Sequence, residues 1–98
     1  MTLLNEHELR LYGIEFLCQL YRTAEGIIER RFNRYKIFRA LGIYGIRENG
    51  VRQATDEIVQ FLYIQCNFIK TIENSGDIHL TTAGLAESNR VCRDIPVV

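Results

Sequence analysis

The sequence predicts one mainly helical domain that carries a small β-hairpin. Apolar residues recur at three- and four-residue spacing in several stretches, as they do on the buried face of a helix. Residues 68–80 instead alternate apolar and polar side chains on both sides of a turn-forming run. A hydrophobic content of 47% with a single proline favours a compact chain, and 98 residues are enough for one core.

The first helix has a complete start signal. Asn5 can cap it, Glu8 stands three residues later as in a capping box, and Leu4 and Leu9 occupy the positions of a hydrophobic staple. The helix then presents one apolar face to the core. That face consists of Leu9, Tyr12, Gly13, Phe16, Leu17, Leu20 and Ala24.

The middle of the chain predicts further helices. Residues 28–41 show helical spacing, as one helix or as two short ones, and Gly42 is placed to end them. A turn-rich connector precedes another helix, which runs from Val51 to Cys66. Its apolar positions are Val51, Ala54, Ile58, Phe61, Leu62 and Cys66, and Asn67 is the expected stop.

The last third predicts a hairpin followed by a helix. Residues 68–73 form a strand with one protected side, residues 74–77 a tight turn, and residues 78–80 the return strand. Thr81 or Thr82 then caps the closing helix. Gly84 in its first turn is expected where a neighbouring backbone comes close.

Residues 34–91 resemble a winged-helix domain. The segments that carry the resemblance are IFRALGI, QATDEIVQFLYIQC and NFIKTIENSGDIHLTTAGLAE, and the Leu-Thr-x-x-Gly pattern is similar to the wing and last helix of many bacterial winged-helix regulators. The resemblance implies a winged helix-turn-helix with an extra N-terminal helix, in which the last helix packs on the first. The single domain, 1–98, then divides into an N-terminal helical region (1–33), a helix-turn-helix (34–67), a wing hairpin (68–81) and a C-terminal helix (82–95).

The resemblance also implies a recognition helix, about residues 52–66, that enters the DNA major groove. Arg52 and Gln53 at its start are residue types that read guanine and adenine edges. Thr55 is expected to be exposed beside them. The predicted DNA-binding residues are Arg34, Lys36, Arg39, Arg47, Arg52, Gln53, Thr55 and Lys70.

Two features oppose DNA binding. Asp56 and Glu57 would stand near phosphates, which their carboxylates repel, and the turn at residues 74–77 contains no lysine or arginine. If these carboxylates lie at the centre of the basic face, the domain is a protein-interaction module. If the face is free of them, DNA binding is favoured.

Charge is distributed unevenly along a chain whose formal net charge is zero. Residues 22–52 contain eight basic and three acidic residues, a balance of +5, and residues 53–89 contain one lysine and five acids, a balance of −4. In the run RRFNRYKIFR, basic and aromatic residues interleave. This run fits a helix with a phosphate-binding face, and equally an ordinary amphipathic helix with a solvated basic side.

These observations predict a small DNA-binding protein, a cytoplasmic transcriptional regulator that acts as a homodimer through its N-terminal helix. Its partner is double-stranded DNA. The alternative is a winged-helix adaptor that contacts another protein and does not bind DNA.

Nothing in the sequence indicates catalysis. The chain lacks a phosphate-binding loop and a His-Glu-x-x-His pattern, and His7 and His79 have no local partner at metal-ligand spacing. We therefore expect neither an enzyme, nor a cofactor, nor a metal site.

The cysteines and the apolar segments bear on location. Cys18, Cys66 and Cys92 are odd in number and form no Cys-x-x-Cys pair, which predicts reduced thiols in the cytoplasm rather than a disulfide framework. Cys92, between two arginines, is the one thiol whose position suits redox sensing. The N-terminus lacks the pattern of a signal peptide, and no apolar run approaches the ~20 residues of a membrane span, so no membrane association is expected.

Overall fold

The computed structural model describes residues 2–43 and 46–92. The described chain is mainly helical and contains a small antiparallel sheet. Its elements are α1 (Glu6–Ala24), β1 (Phe32–Asn33), α2 (Arg34–Ala40), α3 (Glu48–Gln60), a π-helical turn (Phe61–Gln65), β2 (Ile69–Thr71), β3 (Asp77–Leu80) and α4 (Thr82–Val91).

Helix α1 starts as predicted. The Asn5 side chain accepts a hydrogen bond from the Glu8 amide (2.8 Å), and the Glu8 carboxylate accepts one from the Asn5 amide (3.1 Å), so the capping box is complete. Its apolar face is buried from Gly13 to Ala24. The helix ends because Glu25 and Gly26 both adopt positive φ angles, 54° and 75°.

The predicted helix over residues 28–41 is shorter than expected. Residues 28 and 29 form a turn, residues 30 and 31 have no regular structure, and Phe32 and Asn33 form β1, which pairs with β3 in the register Phe32↔Ile78 and Asn33↔Asp77. Helix α2 begins only at Arg34, where the Asn33 side chain accepts the Tyr35 amide (3.0 Å). The helical assignment of Phe32 is wrong because pairing with a distant strand determines its conformation.

The hairpin between β2 and β3 is confirmed, and β1 extends it to a three-stranded sheet in the order β1-β3-β2. One face of the sheet is buried, with Ile69, Ile78 and Leu80 fully enclosed. Lys70 and His79 pair across β2 and β3 on the other face, since side chains alternate along a strand.

Helix α3 begins earlier than predicted, at Glu48, and its α-helical part ends at Gln60. The chain continues through the π-helical turn, in which the Cys66 amide donates to the Phe61 carbonyl (3.3 Å). Asn67 then stops the helix with a φ of 56°, as expected.

Gly84 is needed for a close backbone contact. Thr81 caps α4 by accepting the Gly84 amide (2.9 Å) and donates its own hydroxyl to the Asn67 carbonyl (2.7 Å). A Cβ at position 84 would overlap the Phe68 carbonyl oxygen. The close approach predicted for Gly84 is therefore confirmed, with Phe68 as the partner. Helix α4 also packs on α1, and of its predicted extent, 82–95, residues 93–95 lie outside the described residues.

The prediction of reduced cysteines is wrong for two of the three. Cys18 on α1 and Cys92 after α4 form a disulfide with a Cα–Cα distance of 5.6 Å, because the packing of α4 on α1 brings residues 74 positions apart together. Cys66 is a free, half-buried thiol; burial, and secondarily the charge of Glu87, raises its pKa. The prediction of a cytoplasmic location rests partly on reduced thiols, and the disulfide removes that part of its support.

The core lies between α1, α3 and the buried face of the sheet. Its fully buried large side chains include Phe16, Leu17, Leu20, Ile58 and Ile69. Within the described part of the chain, no helix has the length and apolar character required to cross a membrane.

Candidate functional site

A polar surface forms where α2, α3 and the turn between β2 and β3 meet. A cleft of about 550 Å³ separates α3 from that turn, and another of about 440 Å³ lies between α2 and α3. We call this surface the α2–α3 face. Its residues are Asn33, Arg34, Tyr35, Lys36, Arg39, Glu48, Arg52, Asp56, Gln60, Asn74, Ser75 and Gly76.

Three of the predicted DNA-binding cations line one cleft. Lys36 and Arg39 project from α2 and Arg52 from α3, and all three side chains are exposed. Arg39 also forms an ion pair with Glu48 (3.3 Å), but both partners are largely solvated, so the pair holds Arg39 only weakly. The structure thus brings Lys36, Arg39 and Arg52 together at the junction of the two helices.

Tyr35 orders the centre of the face. The Arg52 guanidinium carbon lies 6.0 Å from the centroid of the Tyr35 ring, at the outer limit of a cation–π contact. The Tyr35 hydroxyl donates to Asp56 Oδ1 (3.0 Å). One aromatic side chain therefore connects an exposed cation to a carboxylate of α3.

Arg34 is placed differently from the other predicted cations. Only 15% of its side chain is exposed. Its Nε donates to the Gly76 carbonyl (3.2 Å), and its Nη1 donates to Asp56 Oδ1 (3.3 Å). Arg34 thus braces the β2–β3 turn against α3 and is largely withdrawn from the surface where a phosphate contact was expected.

Thr55 is also withdrawn. Its side chain is 0% exposed, and its hydroxyl donates to the Val51 carbonyl (2.6 Å). The prediction that Thr55 is exposed at the start of the recognition helix is wrong. Thr55 lies four residues after Val51 and next to Ala54, so helical spacing puts it on the buried side of α3 with them.

Gln53 and Glu57 lie on the side of α3 away from α2. The Gln53 amide donates to Glu57 Oε2 (3.0 Å), and the Glu57 carboxylate also accepts the backbone amides of Leu3 (2.7 Å) and Leu4 (2.8 Å). Partial burial raises the pKa of Glu57, but these hydrogen bonds outweigh it and hold the pKa below its ordinary value. Glu57 is therefore an ionised group with three internal donors.

The two remaining predicted cations stand apart. Arg47 is exposed at the N-cap of α3, and Lys70 is exposed on β2 opposite His79. Neither is among the described residues that line the two clefts of the α2–α3 face. Any contact they make with the same ligand requires that ligand to extend beyond this face.

Two polar residues of α3, Asn49 and Gln60, were not predicted to belong to the site. Both are exposed, and both line a third cleft of about 620 Å³ along the outer side of α3. A signal was available, since they fall at helical spacing with Arg52, Gln53 and Asp56, opposite the apolar positions. Asn49 was overlooked because the helix was expected to start two or three residues after it, and Gln60 because only the first turns of the helix were considered for DNA contact.

The α2–α3 face is weakly basic. Arg34, Lys36, Arg39 and Arg52 are opposed by Glu48 and Asp56, which leaves a balance of +2. No known family model matches the chain, and searches of curated proteins and of solved structures found no significant similarity. Function is therefore inferred from the geometry of this face.

Proposed function

We propose that the protein is a winged helix-turn-helix domain that binds double-stranded DNA and regulates transcription. In this proposal α2 and α3 are the helix-turn-helix, the β2–β3 hairpin is the wing, and α1 is an N-terminal addition. The order of the elements supports it, as does the packing of α4 back onto α1.

One observation carries the proposal: Lys36, Arg39 and Arg52 are exposed together where α2 meets α3. The DNA major groove, ~12 Å wide, admits one α-helix, and cations on the preceding helix then face the phosphate backbone. Arg52, over Tyr35, is positioned for a base edge or a phosphate at the groove wall. Lys36 and Arg39 are positioned for phosphates.

The Asp56 carboxylate on the α2–α3 face is partly neutralised. Its side chain is 46% exposed, but it pairs with Arg34 and accepts a hydrogen bond from the Tyr35 hydroxyl. Its charge therefore repels phosphate less than an unpaired carboxylate at this position would. Glu57 lies on the other side of α3, away from the cleft that the exposed cations line.

Dimerisation through α1 is part of the proposal. Leu11 and Ile14 lie one turn apart on α1 and are 49% and 45% exposed. Two copies that pair along this row would remove both side chains from water and place two α3 helices on one DNA duplex. Size-exclusion chromatography with light scattering tests this, and Leu11→Glu should shift a dimer to a monomer.

A second candidate is a protein-interaction module, which is favoured by the position of Asp56 on the α2–α3 face and by the wing turn. Asn74, Ser75 and Gly76 at the turn carry no charge, and Asp77 follows them. A wing that contacts phosphate normally presents a cation, which is missing at these positions. In this alternative the α2–α3 face, with its mixed charges and amides, binds another protein.

Fluorescence anisotropy with a labelled 20-base-pair duplex distinguishes the two. We expect binding that weakens steeply from low to physiological salt. The double variant Lys36→Ala/Arg52→Ala should bind more weakly and lower the slope of log K against log salt by about 2. Arg10→Ala/Arg22→Ala on α1 removes the same charge elsewhere and is the matched control.

The outcomes separate clearly. An equal loss of affinity in both double variants would mean that only net charge matters, and the assigned face would be wrong. No binding by the wild-type protein at low salt would exclude DNA and support the protein-interaction module.

A further inference from the structure

The segment Thr2–Leu4 lies along α3, on the side away from α2. The backbone amides of Leu3 and Leu4 donate to the two oxygens of the Glu57 carboxylate, at 2.7 and 2.8 Å. The Leu4 side chain is buried in the core, whereas Leu3 remains 44% exposed. The segment is thus held at one end by apolar packing and along its length by one carboxylate of α3.

Leu3 also has a seat on α3. Gly50, in the first turn of the helix, has no side chain, and a Cβ there would come within 3.3 Å of Leu3 Cδ2 and 3.4 Å of Ile46 Cγ2. Any larger residue at position 50 would push Leu3 outward. The glycine and the Glu57 carboxylate, two turns apart on α3, are independent contacts that keep the same short segment in place.

The segment covers part of the surface that the proposed function uses. Thr2 forms a wall of the 620 Å³ cleft that is also lined by Asn49, Arg52 and Gln53. An α-helix with its side chains is ~10–12 Å across and already fills a major groove ~12 Å wide. An extended segment lying beside α3 therefore competes with DNA for the Asn49–Gln53 edge of the helix.

We propose that residues 2–4 form a latch that is closed in the free protein and is displaced when α3 binds DNA. This proposal rests on the proposed function. Opening breaks two hydrogen bonds to Glu57 and withdraws the buried Leu4 side chain from the core, and the Gln53 amide (3.0 Å) remains as a donor to that carboxylate. Because DNA binds only the open form, which is the minor state, the free energy needed to open the latch lowers the apparent affinity of the protein for DNA.

A matched pair of variants tests the latch. Leu3→Pro removes the amide donor at position 3 and leaves every charge unchanged, and Leu3→Ala shortens the same side chain but keeps the donor. In the anisotropy assay with the 20-base-pair duplex, we expect Leu3→Pro to bind about five- to tenfold more tightly than Leu3→Ala. Gly50→Leu, whose side chain would displace Leu3 from its position on α3, should accelerate hydrogen exchange of the Leu3 amide in the free protein.

A second measurement on the wild-type protein reports on the latch directly. Hydrogen exchange of the Leu3 and Leu4 amides, followed by NMR, should be slow in the free protein and should accelerate when the duplex saturates it. The latch is overturned if Leu3→Pro and Leu3→Ala bind the duplex with equal affinity, or if the Leu3 and Leu4 amides stay protected in the complex. In either case salt-dependent binding by the wild type leaves the proposed function standing. Absence of duplex binding by the wild type and all three variants overturns both.

Discussion

Removal of the Cys18–Cys92 disulfide should lower the stability of the domain substantially. The bridge joins residues separated by 74 positions, so it closes a loop that spans most of the chain. The loop-closure relation gives about 4.5 kcal/mol for a loop of this length, and typical native disulfides contribute about 2–4 kcal/mol. For a domain of this size the total free energy of unfolding is about 5–15 kcal/mol, so the reduced protein should be marginally stable.

The assay is urea unfolding followed by circular dichroism, with and without a phosphine reductant. We expect reduction to lower the free energy of unfolding by about 3–4 kcal/mol and the midpoint of thermal unfolding by about 15–20 °C. The Cys18→Ala/Cys92→Ala variant, measured under oxidising conditions, should be as stable as the reduced wild-type protein. Cys66→Ala keeps the bridge and is the control, which should respond to reductant as the wild type does.

A count of free thiols tests independently whether the Cys18–Cys92 disulfide is present. The oxidised protein, unfolded in denaturant, should react with one equivalent of a thiol reagent, since Cys66 is the free thiol that the structure describes. Three equivalents, or unfolding curves that do not change with reductant, would refute the disulfide and the stability derived from it.

Three further predictions concern residues that hold the fold and the face together. Gly84→Ala should destabilise the protein by about 3 kcal/mol, because its methyl group meets the Phe68 carbonyl. Gly42 has a φ of 64° and open space around it, so Gly42→Ala should lower the free energy of unfolding by only about 1 kcal/mol. Chemical denaturation compares the two variants, and equal effects would contradict the steric explanation. Arg34→Ala should lower the free energy of unfolding by about 1–2 kcal/mol, a value reduced because its partner Asp56 is partly exposed. A double-mutant cycle with Asp56→Asn should show coupling between the two residues. Additive effects would exclude the contact between Arg34 and Asp56 as a brace. Because hydrogen bonds hold the pKa of Glu57 below its ordinary value of 4.5, its contribution to stability is present above that pH and is lost as pH falls through the lowered folded pKa. The free energy of unfolding, measured against pH, should therefore fall less steeply in acid for Glu57→Gln than for the wild type. Identical profiles for the two proteins would contradict this.

The elements that were predicted correctly are those with local signals. Asn5 and Glu8 form the capping box that starts α1, and Thr81 caps α4 from the position before it. The alternation of apolar and polar residues around the turn specifies the β2–β3 hairpin. Each signal depends on neighbours in the sequence, so the sequence alone is enough to interpret it.

Three of the missed features depend on distant partners. Phe32 becomes a strand residue because it pairs with Ile78, and Cys18 is oxidised because α4 ends beside it. In the candidate site, Arg34 is drawn inward by Gly76 and Asp56, which are 42 and 22 residues away. Residue type alone marks an arginine as a possible phosphate ligand, but only the fold shows which arginines have internal partners.

Chemical-shift mapping shows directly whether the α2–α3 face binds DNA. A ¹⁵N-labelled sample is titrated with an unlabelled duplex at low salt, and amide shifts are followed residue by residue. We expect the changes to concentrate in residues 33–39 and 48–60, with the side-chain amides of Asn49 and Gln60 among them, and to include the amides of Leu3 and Leu4 that the latch releases. Shifts confined to α1 and α4, or no shifts at saturating duplex, would contradict it.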